Sequence, residues 1–146
     1  MSHAASEVRD ARLPGRILGV TAESSGELIR QVGKGFSFHA LQTLESHTGI
    51  PVAQIARILG IPSRTLARRR VSGRLTSDES EKLLRLSATF EKALDLFEGD
   101  RSQALAWLSS PKKEFEDQTP LEYSRTEVGA REVEDRIGRL EHGVFS

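Results

Sequence analysis

VAQIARILGIPSRTLARRRVSGR, residues 52–74, decides how the rest of the chain is read. Val52, Ile55, Ala56 and Leu59 recur at three- and four-residue spacing, the period of a helix with one buried face. Gly60 supplies the positive φ that ends such a helix, and Ile61 is placed to plug the corner. Pro62 then forbids simple continuation, Ser63 is suited to cap a second helix, and Leu66 turns inward. Helix, Gly-containing turn, helix is the helix-turn-helix pattern, and small Ala56 lets the two helices approach closely.

The same stretch is charged with one sign. Residues 51–76 hold Arg57, Arg64, Arg68, Arg69, Arg70 and Arg74 and no Asp or Glu, in a chain whose 21 basic and 21 acidic residues cancel. Such a run in a neutral chain calls for an anionic partner. On the outer side of the second helix, Arg64, Thr65, Arg68 and Arg69 would reach phosphates or guanine edges in a major groove, where Arg bonds in bidentate fashion. The expected DNA-facing set is Ser63, Arg64, Thr65, Arg68, Arg69, Arg70 and Arg74. The plainer alternative is a solvated basic helix in an ordinary bundle, since many such folds serve only as protein contacts.

Composition narrows the surroundings. A chain of 146 residues, 37% of them hydrophobic, suits one bundle or two small lobes. Low aromatic content and the lack of alternating Val, Ile and Thr runs point to an all-α fold. With no cysteine there are no disulfides and no thiolate metal sites, and His3, His39, His47 and His142 lack the close spacing of a zinc motif. No cofactor or metal is expected. No apolar run approaches the roughly 20 residues that span a bilayer, and no signal-peptide core opens the chain, so the expected location is the cytoplasm.

Outward from the centre, residues 1–25 mix Ala, Ser, Gly and charges around a short apolar cluster at Ile17, Leu18 and Val20, which predicts a flexible arm. A short helix is expected over residues 27–32, ended by Gly33, and another over 37–47, with Phe38, Leu41 and Leu44 as its stripe. Thr76 and Glu79 form a capping box that starts a long helix over residues 78–98, with Leu83, Leu86, Phe90, Ala93, Leu94 and Phe97 inward. A stripe that wide serves one core or bridges two. Asp100 with Gln103, and Thr119 with Glu122 behind Pro120, read as two further boxes. Trp107 is expected in the core rather than at a partner's surface. A last helix from about residue 126 carries Ala130, Val133, Ile137 and Leu140 on one face, and Gly143 ends it before the apolar tail Val144, Phe145, Ser146. Residues 112–146 hold nine acidic and six basic residues, a net of minus three, so the chain is polarised between a basic centre and a mildly acidic end.

The order and spacing of several pieces resemble one known family. They are Arg64-Thr65-Leu66 with Arg68-Arg69, Gly73-Arg74-Leu75 leading to Glu79-Ser80, Ala104 with Trp107-Leu108, Thr119-Pro120-Leu121, Thr126-Glu127-Val128-Gly129-Ala130 with Val133, and Glu141-His142-Gly143-Val144. From about residue 27 to the end, the chain resembles antitoxins of the Xre/MbcA/ParS type, partners of RES-domain toxins. Beyond the arm read from composition over residues 1–25, the resemblance implies two parts: an Xre-like helix-turn-helix domain that binds DNA and dimerises over 26–86, and a toxin-binding domain over 87–146, the two joined by the long helix. It implies a toxin that attacks NAD, by degrading it or by moving its ADP-ribose, and an antitoxin whose end lies at the toxin's cleft. Carried onto this chain, the toxin-facing candidates are Val133, Ile137, Leu140, His142, Val144, Phe145 and Ser146.

The first functional reading is therefore inhibitor plus autorepressor: it binds a RES-domain toxin and its own operator DNA, as a homodimer within a larger toxin–antitoxin complex and with no membrane partner. The alternative is a plain helix-turn-helix regulator whose last lobe only dimerises. An enzyme is disfavoured, because acid pairs such as Glu132 and Glu134 point about 200° apart around a helix and no catalytic set assembles.

Overall fold

The structure, a computed structural model, describes residues 13–142. Among them are eight α-helices: α1 Ser25–Lys34, α2 His39–Thr48, α3 Val52–Leu59, α4 Ser63–Ser72, α5 Ser77–Leu96, α6 Arg101–Leu108, α7 Pro120–Tyr123 and α8 Glu127–His142. Two 3-10 turns, Arg16–Leu18 and Lys113–Phe115, complete the set, and no strand occurs among the described residues.

α5 is the spine. At 20 residues it runs about 30 Å. It starts where the sequence places it: Thr76 Oγ1 accepts from the Glu79 amide at 3.1 Å, and the Glu79 carboxylate accepts from the Thr76 amide at 2.9 Å. Leu83, Leu86, Phe90 and Ala93 are buried, while Leu94 and Phe97 are only half-buried. The stripe packs against α1 and α3 of the first half and α6 and α8 of the second, so one helix serves both halves of a continuous core. The α5–α8 pairing is the most extensive helix contact in the chain.

Behind the spine, Leu41, Leu44, Ile55, Ala56 and Ile61 pack α2, α3 and the α3–α4 corner together. Gly60 takes φ 77°, and the Ile61 amide reaches back to the Ala56 carbonyl at 2.8 Å, which closes α3. Residues 36–38 and 73–75 pinch the lobe shut. The Leu75 amide donates to the Phe36 carbonyl and the Phe38 amide to the Gly73 carbonyl, each at 2.9 Å, while Ser80 Oγ accepts from the Phe36 amide at 2.8 Å. The approach is so close at Gly35 that a Cβ there would collide with the Leu75 carbonyl oxygen.

Several expectations are corrected. The arm assigned to residues 1–25 is not loose throughout. Ile17 and Leu18 are buried, and the carboxylate of buried Glu91 on α5 accepts from the amides of Gly15 at 3.3 Å and Ile17 at 3.2 Å. The apolar cluster seen in the sequence is thus an anchor; residues 1–12 of the expected arm lie outside the described residues. Next, α1 does not stop at Gly33 but runs Ser25–Lys34, because Ser24 caps it by accepting from the Glu27 amide and Gly35, at φ 89°, ends it. Finally, Ser63 is the first residue of α4 and not its cap, a place taken by extended Pro62 without a side-chain bond.

In the second half, Asp100 caps α6 by accepting from the Gln103 amide at 3.1 Å. Gln103 returns its bond to the Asp100 side chain at 3.2 Å and not to its backbone, so the reciprocal box is incomplete. The Thr119–Glu122 box on α7 is complete, with Pro120 in the first turn. Trp107 is half-buried against the core, with Lys112 Nζ 5.3 Å from its ring centroid.

Candidate nucleic-acid and protein interfaces

α3 and α4, joined by the three-residue corner Gly60-Ile61-Pro62, form a helix-turn-helix in which α4 buries none of its residues. Its contact with the core runs through half-buried Leu66 and, three residues on, half-buried Arg69. At about 100° per residue those two mark the inward face. Arg64 and Arg68 then fall on the opposite side, where both are exposed.

The arginines that look alike in sequence divide accordingly. Among the described residues, Arg57 and Arg64 have no side-chain partner, and Arg68 reaches only Thr65 Oγ1, at 3.3 Å. Arg69 instead donates from Nε to Glu79 Oε1 at 2.8 Å, tying α4 to the start of α5. Arg70 lies 4.9 Å from the centroid of the Phe38 ring. Arg74 Nη1 donates to the Gly35 carbonyl at 2.8 Å, which braces the pinch. Ser63 and Thr65 sit beside Arg64 in the first turn, one exposed and one half-buried. The expectation that Arg69 faces outward is therefore corrected: helical period places it three residues from Leu66, on the inner side. Val71 is the outward residue that the sequence reading passed over, and its 90% exposure is the largest for a bulky apolar side chain among the described residues.

The Arg69–Glu79 bond marks both groups. Burial alone would raise the Glu79 carboxyl, but the Arg69 hydrogen bond, the Thr76 amide and the Arg69 charge outweigh it and hold the group below its ordinary range. Arg69 is raised in turn, first by its bond to Glu79.

At the other end of the molecule, α8 lies along α5, with Lys92 3.7 Å from Glu134 and Arg136 2.7 Å from Glu114 of the second 3-10 turn. Tyr123 stacks on Phe115 with centroids 4.9 Å apart, and its hydroxyl is raised above its ordinary value, chiefly by interaction with Glu132 of α8. A groove of about 460 Å³ beside α8 is lined by charged Arg16, Glu91, Lys92, Asp95, Glu134 and Glu141 together with Ile137 and Gly138. Of the residues proposed to meet a protein, Val133 and Ile137 are 0% and 1% exposed and belong to the core, so they do not form a surface; this corrects their assignment. Their spacing of four puts them on the face that α5 covers. Leu140 is half-buried at the edge, His142 is exposed, and Val144, Phe145 and Ser146 lie outside the described residues.

Comparison with known proteins bears on this arrangement. Residues 27–88 match the family described as the Antitoxin Xre-like helix-turn-helix domain, and residues 92–143 the Antitoxin Xre/MbcA/ParS C-terminal toxin-binding domain. A protein named Antitoxin Xre from Yersinia enterocolitica is 43% identical over 132 residues, which is 90% of this chain and 89% of its own. The chain belongs to the Xre/MbcA/ParS antitoxin family. A second Antitoxin Xre, from Photorhabdus laumondii, is 32% identical over the same shares, and one from Pseudomonas putida is 36% identical over 84 residues, 57% of this chain and 52% of its own. The family is one of antitoxins and not of enzymes. Its two domains meet inside α5, the helix whose inner stripe serves both ends of the core.

Proposed function

We propose that this antitoxin neutralises a RES-domain toxin that attacks NAD, covering the toxin's cleft with its C-terminal lobe and tail, and represses its own operon by binding operator DNA through α4. The observation that carries the reading is the placement of two different surfaces on one spine. The start of α5 holds a helix whose Arg64 and Arg68 face outward without acidic partners among the described residues, and farther along α5, where Lys92 meets Glu134, lies α8, whose inner stripe is spent on the core. The polar outer face of α8 and the chain beyond it are left for a protein partner. The apolar stretch Val144-Phe145 suits insertion into a partner's cleft. His142, Leu140, Val144, Phe145 and Ser146 remain the proposed toxin contacts.

On the DNA side, Arg64, Thr65 and Arg68 make the direct contacts, with Ser63 near the phosphates. Arg69, Arg70 and Arg74 hold the helix in place. The reading further takes the protein to work in the cytoplasm as a homodimer within a larger toxin–antitoxin assembly, its two recognition helices about one DNA turn, roughly 34 Å, apart on a palindromic operator.

Deleting residues 143–146 tests the inhibitory half. The truncated chain is expected to retain operator binding and to leave the toxin consuming NAD. If it protects NAD as well as the full chain does, the cleft-covering tail is wrong, and α8 serves only to close the bundle of a plain regulator.

A further inference from the structure

α4 presents a continuous stripe away from the core, made by Arg64, Arg68 and Val71. Their spacing of four and then three residues brings all three within roughly 60° of arc, opposite the face of Leu66 and Arg69. A lone exposed apolar residue is ordinary on a protein surface, and Ile29 on α1 and Val128 on α8 are of that kind. Val71 differs in its company. It stands 90% exposed on the face that carries Arg64 and Arg68, neither with an acidic partner among the described residues, in a helix that buries nothing. A β-branched residue brings nothing to such a helix by propensity, so its contribution is to whatever the face meets.

We infer that Val71 is a specificity-determining residue that packs on the 5-methyl group of a thymine in the operator. This rests on the DNA-binding reading above and names the sequence chemistry that α4 selects. The major groove offers one apolar feature, the thymine methyl, beside the guanine O6 and N7 acceptors that arginine takes in bidentate fashion. Along the helix Val71 lies three residues, about 4.5 Å, beyond Arg68. That is a little more than one base step of about 3.4 Å. The favoured half-site therefore places a thymine one or two steps from the base that Arg68 reads.

The experiment starts from the full-length protein footprinted on the DNA that precedes its gene. Each thymine of the protected stretch is replaced singly by uracil, which removes only the methyl group, and binding is measured for the wild type and for Val71→Ala. One replacement in each half-site is expected to weaken the wild type about fourfold, the worth of one buried methyl group. Val71→Ala, which alters both protomers of the homodimer, should bind the thymine duplex about as weakly as the wild type binds a duplex with the thymine of both half-sites replaced, and should be indifferent to either replacement. With the wild type bound, the absence of any uracil effect overturns the inference alone, as does a Val71→Ala protein that still discriminates. A change in oligomeric state for Val71→Ala also overturns it, since the valine would then contact a second copy. If the wild type protects no DNA, the DNA-binding reading fails as a whole.

Discussion

Arg68 and Arg69 are neighbours in the chain and do different work, because a step of about 100° carries one outward and the other in beside Leu66. Arg68→Ala is expected to weaken operator binding and to reduce the slope of log affinity against log salt by about one, the mark of one lost phosphate contact. Arg69→Ala should leave that slope close to the wild type while lowering the melting temperature, since it strips Glu79 of its strongest partner; titrations at several salt concentrations with thermal scans separate the two. The pair also sets a pH dependence. Glu79 is depressed in the folded protein, so its contribution is intact above the carboxyl's unfolded value, near 4.3, and is lost as pH falls through the lower folded value. The stability difference between wild type and Glu79→Gln should therefore be constant from neutral pH down to the unfolded value, about 4.3, and shrink below it. A difference that grows on acidification contradicts the assignment. Arg69 is raised, so its own part persists to strongly alkaline pH.

Among the elements, helix starts were the most legible in the sequence. Thr76 with Glu79 and Thr119 with Glu122 form boxes in which both reciprocal bonds are made, because their geometry is local and needs no tertiary partner. Thr76→Ala should cost about 1 kcal/mol in chemical denaturation. What the sequence did not disclose were contacts across the chain. Glu79 is legible as a cap but not as the partner of Arg69 ten residues earlier, and Glu91 gives no sign that it will clasp the amides of residues 15 and 17. The sequence does not tell which of two glycines ends α1: Gly33, with nothing within 4 Å of a would-be Cβ, is tolerated in the helix, while Gly35 carries the requirement for positive φ and close approach. Gly129 is a further case, since a Cβ there would strike the Tyr123 carbonyl at the α7–α8 junction. Gly129→Ala is expected to lose about 1–3 kcal/mol through the forced shift of α8, measured by urea unfolding.

At the scale of the whole molecule, charge polarity and the double-width stripe of α5 make a two-ended plan visible in the sequence, but not which residues of the second end face outward. Val133 and Ile137 carry the same pattern whether a face meets a partner or its own core, and only the packed structure shows that α5 covers them. Ile137→Ala should consequently unfold the protein more easily, by about 2–5 kcal/mol, and weaken DNA binding and toxin binding together wherever the fold is compromised. The claim that one spine carries two separable activities is tested most directly by a crossed measurement. Operator affinity and protection of NAD from the cognate toxin are assayed for the double variant Arg64→Ala, Arg68→Ala and for the chain lacking residues 143–146, both confirmed as folded. The account predicts that the double variant loses the operator and keeps the toxin silent, while the shortened chain holds the operator and releases the toxin. Loss of both activities in either protein, or loss of neither, would contradict it.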